Sequence, residues 1–540
     1  MNAARHEPSG RLRATLGALL LAAAFLICAR QLSARAQAGA SASGVVVDGV
    51  GPVGGARVRV RATEHATLAD AEGRFLLDGL AEGQRVELTA WAAGYYIAST
   101  HITPTVAGLT LTLRPYHTTD NPDYIWPSPI AGTSAGACGN CHPMIVSQWI
   151  TNAHGSAVDN PRFYSLYNGT AAADEQAVAP GYLLDFPGTA GNCASCHAPG
   201  AAADGYLTTN MNDVRGVITA GIHCDLCHKI GGVYLDPATG SVYANVPGIQ
   251  GLRLLRPPAG DDIFFGPYDD VHDPDTYLPL ISESQYCAPC HQFSFWGTPI
   301  YESFDEWLAS PYADEGVTCQ DCHMPPTGDT YFALPEVGGL ERPPESIPSH
   351  LDLGASSVAL LQNTVELAVS AEARLGLILV TVTITNTEAG HHVPTDFPGR
   401  HMILTVAARD QQGRALAQRS GPVVPAWGGA QAGLPGTAYA KVLRDVRSGE
   451  SPVVSYWKQA LIVSDNRIPA RQADSSAYVF EAPTGEVEVV AELRFRRAFQ
   501  ALMEAKGWDA PDIMMESARV TVAAAPWWRG HLPRLSRPGG

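Results

Sequence analysis

The pentapeptide CGNCH at residues 138–142 places two cysteines three positions apart, with a histidine directly after the second. Of the 11 cysteines in the chain, ten lie in pentads of this kind, and the other is Cys28. Because no cysteine after Cys28 is left over, the pentads share one chemistry, which organises the middle of the chain. The four further copies are CASCH (193–197), CDLCH (224–228), CAPCH (287–291) and CQDCH (319–323).

The spacing within each pentad is that of covalent haem attachment. Two thiols add to the vinyl groups at one edge of a haem, and the adjacent histidine ligates the iron. Structural zinc, a redox dithiol or a disulfide would not require a histidine after every cysteine pair. We therefore predict five covalently attached haem c (heme c) groups. The predicted attachment residues are Cys138, Cys141, Cys193, Cys196, Cys224, Cys227, Cys287, Cys290, Cys319 and Cys322. The predicted proximal iron ligands are His142, His197, His228, His291 and His323.

Histidines for the opposite face of each iron are plentiful. The chain has 17 histidines, so enough remain outside the pentads to give every iron a second imidazole. An iron with two histidine ligands keeps no open position and suits electron transfer. The short spacings from residue 197 to 228 and from 291 to 323 predict two close pairs of haems.

Residues 1–38 are typical of an export signal. Arginines precede the apolar stretch TLGALLLAAAFLIC (15–28), and small residues at 34–38 fit a cleavage site. The alternative is an uncleaved anchor. No other stretch is long and apolar enough to span a bilayer, which predicts a soluble mature protein that is periplasmic or extracellular.

The chain is acidic, with a formal net charge of −17. Such a chain repels phosphates, which argues against a nucleic-acid partner. The same charge favours redox partner proteins that present a basic docking face. The acidic run GDDIFFGPYDDVHDPD (260–275) is either a calcium site or a solvated loop, because it lacks the regular ligand spacing of a dedicated calcium loop.

Two segments that flank the pentads alternate apolar and polar residues, as strands do. The first, 41–115, contains ARVRVRA (56–62), and the second, 357–525, contains LVTVTIT (379–385). Residues 496–507 predict a helix that ends at Gly507, and residues 526–540 form a tail. The predicted fold class is multidomain α+β. Its parts are a small N-terminal β-sandwich, a central pentahaem domain of loops and short helices at 116–352, and a C-terminal β-sandwich.

The N-terminal segment resembles the carboxypeptidase regulatory-like, transthyretin-like domains. The matching stretches are GPVGGARVRV (51–60), TLADAEGRFLLDGL (67–80) and AAGYY (92–96). The resemblance implies an accessory sandwich that carries no catalytic residues.

Several stretches within about residues 116–525 resemble a family of exported multihaem c-type cytochromes related to those of hydroxylamine oxidation. The resemblance is carried by CGNCHPMIVSQWITNAHGSAVDNPRF (138–163), by residues 286–326, by PSHLDLG (348–354) and by NTEAGHHVPTDFPGR (386–400). It implies distal iron ligands at His154, His272, His350 and His391. The alternatives are a helix cap for His154, solvated loops for His272 and His350, and a turn for His391. The fifth distal ligand stays open among His117, His223, His392 and His401.

Three functions fit these residues. The first is an extracytoplasmic electron carrier, and the second is a multihaem reductase or oxidase of a small nitrogen or sulfur compound. The second needs one iron with an open position, and relatives with that chemistry sometimes replace the proximal histidine by lysine, as CxxCK, a motif that this chain lacks. The third is an oligomeric role as a subunit of a surface haem filament. We favour the carrier and assign no catalytic residue.

Overall fold

The computed structural model describes residues 39–171, 176–272 and 274–524. The N-terminal unit ends at His117 and also includes Tyr268–Tyr277, and a second unit holds the remaining described residues from Thr118 onward. All five pentads and the C-terminal strands belong to the second unit. The predicted signal segment 1–38 and the tail 526–540 lie outside the described residues, and the predicted domain boundaries stay predictions.

The N-terminal unit contains two sheets. A three-stranded sheet has the order Arg74–Leu80, Ala40–Val47, Val106–Thr112, and a four-stranded sheet has the order Ala66–Leu68, Arg57–Val60, Val86–Trp91, Ala98–Ile102. Apolar side chains from both sheets, including Val46, Val58, Ala90 and Leu111, share one core. The predicted N-terminal sheet domain is therefore confirmed, while its resemblance to the carboxypeptidase regulatory-like domains stays a prediction.

The alternation predicted for residues 56–62 is interrupted at Arg59. This side chain is buried, and its guanidinium pairs with the buried carboxylate of Asp269. The neighbouring Asp270 accepts a hydrogen bond from the Ala62 backbone N–H at 2.6 Å. A buried arginine is tolerated because a carboxylate compensates its desolvation. Within residues 39–171, 176–272 and 274–524, no group of three or more His, Cys, Asp or Glu side chains is arranged for a metal ion, so calcium has no support.

The part of the second unit that carries the pentads consists of loops and short helices, as predicted. Among the described residues its longest helix, Pro161–Asn168, has eight residues. No described helix has the length and apolarity that a membrane span requires. The α-helices are Pro143–Trp149, Pro161–Asn168, Tyr182–Asp185, Ala194–His197, Pro199–Ala202, Cys224–Cys227, Ala288–His291, Ser303–Leu308, Pro311–Asp314, Cys319–His323 and Val358–Gln362. The 3₁₀ helices are Cys138–Asn140, Met211–Asp213, Gly216–Ala220, Gly248–Gly251, Pro279–Ser282, Ser284–Tyr286, Pro335–Val337 and Pro344–Ser346. The antiparallel strand pairs are Ile230–Val233 with Leu252–Leu254 and Phe293–Phe295 with Thr298–Tyr301.

The C-terminal part of the second unit is a β-sandwich. Val380, Val382 and Ile384 are at most 1% exposed, while the threonines between them are less buried, so the predicted period of two is confirmed. One sheet has the order Val365–Arg374, Leu377–Asn386, Ala473–Glu481, Gln418–Ser420. The other has the order Gly436–Tyr439, His401–Asp410, Gly485–Arg496, Ile513–Ala524, and Lys441–Asp445 pairs with Ala460–Asp465.

The predicted helix at 496–507 is shorter than expected. It spans Gln500–Lys506 and ends at Gly507, whose φ of 65° is the left-handed conformation that glycine adopts readily. Residue 496 instead completes the strand Gly485–Arg496, because it pairs with His401 across the sheet. Sheet pairing between residues distant in sequence thus shortens the helix at its N-terminus.

This helix is anchored to a loop near the pentads by Lys506. The fully buried Lys506 ammonium donates hydrogen bonds to the backbone carbonyls of Ser165, Thr170 and Val178. We expect Lys506→Met to lower the free energy of unfolding by about 2–4 kcal/mol, because three buried carbonyls lose a charged donor. Denaturant unfolding of the haem-loaded protein measures the change.

A matched control is Lys458→Met, since Lys458 is about one-third exposed and forms longer ion pairs with Asp185 and Asp445. We expect this control to cost less than about 1 kcal/mol. Equal destabilisation by the two variants would contradict an anchoring role for Lys506.

Candidate haem-attachment sites

Each of the five pentads forms a helical turn. The cysteines stand at positions i and i+3, which share one face of a helix, and the backbone N–H of each histidine lies one turn from the first cysteine. The distances from this N–H to the carbonyl of the first cysteine are 2.9 Å for His142, 3.0 Å for His197 and His228, and 3.2 Å for His291. All ten of these cysteines are half-buried free thiols. The pentads therefore present paired thiols, with no disulfide among them.

The five proximal histidines are oriented through Nδ1. Four of these nitrogens face backbone carbonyl oxygens, and the fifth faces a carboxylate. A histidine whose Nδ1 is engaged in this way keeps Nε2 for a metal. The contacts are His142 to Phe332 O at 2.8 Å, His197 to Ala157 O at 3.3 Å, His228 to Phe265 O at 2.6 Å, His323 to Leu353 O, and His291 to Asp396 Oδ2 at 3.6 Å.

Two predicted distal ligands lie opposite proximal ones. The ring centres of His154 and His291 are 6.3 Å apart, and those of His323 and His391 are also 6.3 Å apart. An iron held between two imidazoles, with metal–nitrogen bonds of about 2 Å, separates the ring centres by roughly 6 Å. The spacing therefore fits one iron in each pair, at the fourth and fifth pentads respectively.

The Nδ1 atoms of the two distal rings are also engaged. His154 Nδ1 lies 3.2 Å from Asp352 Oδ2, and His391 Nδ1 lies 2.9 Å from the His392 carbonyl oxygen. Each of the four rings in these pairs therefore retains Nε2. The chemistry of this donor set fits haem iron with two axial imidazoles.

His350 lies near the proximal histidines of the first and third pentads. Burial is the main cause that lowers the pKa of His350 to about 4; the charges of His228 and His142 act in the same direction, and Asp352 opposes them. The ring is therefore neutral at physiological pH, which is the form that ligates a metal. Its Nδ1 is buried without a hydrogen-bond partner. The structure thus places His350 near two pentads, and its role as an iron ligand stays a prediction.

His272 lies in the N-terminal unit. Its Nε2 is 3.5 Å from Glu87 Oε1, so this nitrogen already faces an acceptor within that unit. The ligand role of His272 was implied only by the family resemblance, and no contact in its own unit supports it. His117, one of the open alternatives, belongs to the N-terminal unit as well.

Two of the remaining histidines present a buried, unpartnered Nε2. His223 is 1% exposed and caps the helix Cys224–Cys227, because its Nδ1 accepts the Leu226 N–H at 3.2 Å. His401 is fully buried, and its Nδ1 faces the Gly399 carbonyl at 2.9 Å. Both Nε2 atoms lack a hydrogen-bond partner, which makes these two residues the candidates for further axial ligands. In contrast, His392 lies 3.6 Å from a buried carboxylate oxygen of Glu306.

The loop at residues 350–353 serves several sites at once. His350 approaches the first and third pentads, Asp352 lies behind the His154 ring, and the Leu353 carbonyl faces His323 Nδ1. The Asn152 side chain holds this loop by donating to the His350 carbonyl at 2.7 Å and to Asp352 Oδ2 at 2.6 Å. Sequence reasoning identified His350 but gave no signal for the neighbouring Asp352.

Contacts between cysteines show how the pentads are arranged. Three pairs of thiols from different pentads lie close enough to shift each other's pKa: Cys138 with Cys224, Cys287 with Cys319, and Cys196 with Cys290. The predicted closeness of the fourth and fifth pentads is supported. The second pentad, however, contacts the fourth, and the first contacts the third.

The first pentad reaches the third because the segment after it folds back. The Trp149 indole donates to the Ile222 carbonyl at 2.8 Å, and the Ile222 N–H donates to the His154 carbonyl at 3.1 Å. These bonds hold the chain that leaves the first pentad against the residues that enter the third. The nearness of the first pentad to the third therefore could not be predicted from their spacing along the chain.

The pentads, the free thiols and the spacing of the paired rings are those expected of a multihaem c-type cytochrome. Residues 137–229, which include the first three pentads, match the family model described as cytochrome c554 and c-prime. The fold is similar to the crystal structure of a penta-heme cytochrome c552 from Thermochromatium tepidum, with a TM-score of 0.53 and 20% identity. That alignment covers 71% of this chain and 97% of the other. Together, these two findings confirm the resemblance to multihaem c-type cytochromes that the sequence predicted.

The other comparisons add little. The X-ray structure of Northeast Structural Genomics Consortium target SoR45 aligns with a TM-score of 0.14 and 13% identity, over 30% of this chain and 88% of that chain. A TM-score this low carries no argument. No curated protein matches the chain.

Proposed function

We propose that this protein is an exported electron-transfer cytochrome that carries five covalently attached haem c groups and passes single electrons between redox partner proteins. Bound haem supplies one-electron redox chemistry. The observation that carries the proposal is that two imidazoles face each other at the fourth pentad and two at the fifth, with ring centres 6.3 Å apart in each pair. With haem attached, His154 with His291 and His323 with His391 would each hold one iron between two imidazoles, and an iron without a free position would favour electron transfer over substrate binding.

The arrangement of the pentads supports a relay. The thiol contacts link the first pentad to the third, and the fourth to both the second and the fifth. Burial, then Asp352 and then Cys290 together raise the pKa of the Cys227 thiol to about 12, so the third pentad also lies near the fourth. All five attachment sites therefore form one connected set, in which the fourth has three neighbours.

The acidic character of the chain supports docking to a basic protein. With a formal net charge of −17, association with a basic partner is accelerated at low ionic strength and slowed by salt. Export follows from the predicted signal segment and from the extracytoplasmic nature of c-type haem attachment. We propose a periplasmic or cell-surface location on these grounds.

Mass spectrometry and spectroscopy of the purified exported protein test the proposal. We expect the intact mass to exceed that of the mature chain by five haem masses, and the ferric spectrum to be that of low-spin iron. The double variant Cys193→Ser, Cys196→Ser should carry four haems. A colourless, folded protein would overturn the proposal. A high-spin component whose Soret band shifts with nitrite or hydroxylamine would favour the reductase or oxidase instead.

A further inference from the structure

The ring pair at the fourth pentad differs from that at the fifth in what lies behind each imidazole. Behind His291 lies Asp396, with Nδ1 and Oδ2 separated by 3.6 Å, and behind His154 lies Asp352, with Nδ1 and Oδ2 separated by 3.2 Å. At the fifth pentad, both rings face neutral backbone carbonyls. The fourth site thus has a carboxylate on each side of the ring pair.

Asp396 is held in place by its surroundings. Its Oδ1 accepts a hydrogen bond from Ser303 Oγ at 2.5 Å, and Arg400 lies 3.9 Å from Oδ2. The side chain is 17% exposed. Because Ser303 and Arg400 belong to different segments, they hold the carboxylate in place independently of its contact with the His291 ring.

Asp352 is fixed in a similar way. Its Oδ2 accepts from Asn152 Nδ2 at 2.6 Å, and its side chain is also 17% exposed. The backbone of both aspartates lies at positive φ, 44° for Asp352 and 62° for Asp396. Residues other than glycine adopt this conformation at a cost, and such strain concentrates at functional positions. Two elements far apart in sequence therefore accept backbone strain while directing a carboxylate at the same ring pair.

A carboxylate behind an axial imidazole makes that ligand more basic than a carbonyl does, and a more basic ligand stabilises ferric over ferrous iron. We propose that Asp352 and Asp396 are positioning residues that together lower the reduction potential of the haem at the fourth pentad below that of the haem at the fifth. The inference rests on the proposed haem attachment. Of these two haems, the one with the lower reduction potential is then at the fourth pentad, which has three neighbouring pentads.

Charge-removing variants of the full, haem-loaded chain test this inference. Asparagine keeps the size of aspartate and removes its charge, so Asp396→Asn and Asp352→Asn leave the ring packing largely intact. In a spectroelectrochemical titration, we expect each variant to raise the potential of one haem component, and the same component in both. The expected shift is about tenfold in the one-electron equilibrium constant, or ~59 mV, and the double variant should shift it further.

The ring planes provide a second readout. The two rings are tilted by 60° at the fourth pentad and by 14° at the fifth. The relative orientation of the two imidazoles shapes the ferric EPR signal, so the fifth site should give a rhombic signal. The reduction potential at which this signal disappears should be the same in both variants as in the unaltered protein. The control is Asp314→Asn, which removes an exposed carboxylate of the same unit and should move no component.

The outcomes separate this inference from the proposed function. If the unaltered protein carries five haems and neither variant moves any potential, only the inference fails. It fails as well if the two variants move different components, or if both lose the haem at the fourth pentad, which would show a structural role alone. An unaltered protein without haem would overturn the proposed function itself.

Discussion

Produced without haem attachment, the chain is expected to lose the ordered structure of the segment that carries the pentads. Among the described residues, the longest helix there has eight residues, and helices this short are not stable alone. Several histidine nitrogens in the second unit, including His223 Nε2 and His350 Nδ1, are buried without partners. A fold with short helices and buried, unpartnered nitrogens needs its cofactor. A cofactor that binds only the folded state adds directly to the free energy of unfolding.

Limited proteolysis of protein made without the c-type maturation machinery measures this effect. We expect rapid cleavage between residues 118 and 362, with loss of the near-ultraviolet circular dichroism signal. The strands between Ala40 and Thr112 serve as an internal control, because their core lies within the N-terminal unit. A haem-free chain that resists cleavage throughout and unfolds cooperatively would contradict the prediction.

Replacing Arg467 by methionine is expected to be the most destabilising single substitution considered. The Arg467 side chain is 3% exposed and bonds Glu306 Oε1 at 2.5 Å and Asp465 Oδ2 at 2.7 Å. Glu302 lies 3.4 Å away and is shared with the buried Lys441. Although burial alone would lower it, these carboxylates hold the pKa of Arg467 above its ordinary value. Removing the guanidinium leaves the buried Glu306 carboxylate without this cationic partner, at a cost of about 3–5 kcal/mol.

The effect should reach the fifth pentad. Glu306 Oε2 accepts hydrogen bonds from the His392 N–H at 3.1 Å and from Thr395 Oγ1 at 2.8 Å, so the network of Arg467 also holds the loop that carries His391. We therefore expect Arg467→Met to alter the EPR signal of the site formed by His323 and His391, in addition to lowering the unfolding midpoint in denaturant.

Arg471 offers a control four residues away. It pairs with Glu315 at 3.1 Å, and both side chains are about half exposed. Exposed ion pairs contribute little, so Arg471→Met should cost less than about 1 kcal/mol. If the two arginine variants were equally stable, the network around Arg467 would not contribute to stability as described.

The features that the sequence predicted well are local ones. The pentads could be identified because attachment, spacing and ligation are contained within five residues, and the period of two around Val380 reflects a strand that is buried on one face. The family resemblance pointed to His154 and His391, whose ring spacing to His291 and His323 fits axial ligation.

The features that could not be predicted depend on residues far apart in sequence. Asp396 follows the predicted ligand His391 by five positions, yet it lies behind His291 of the preceding segment. Arg59 is buried because Asp269, 210 residues later, pairs with it. Neither contact leaves a periodic or compositional trace, since each depends on how separate segments pack.

The loop at residues 350–353 ties the sites to one another in a way that bears on how the protein can evolve. Its residues His350, Asp352 and Leu353 approach, respectively, the first and third pentads, the ring pair at the fourth, and His323 at the fifth. A substitution or backbone shift there would alter the surroundings of several irons together. Independent adjustment of one site must therefore arise elsewhere, at residues such as Asp396 that face a single imidazole, and the loop itself is expected to tolerate few changes.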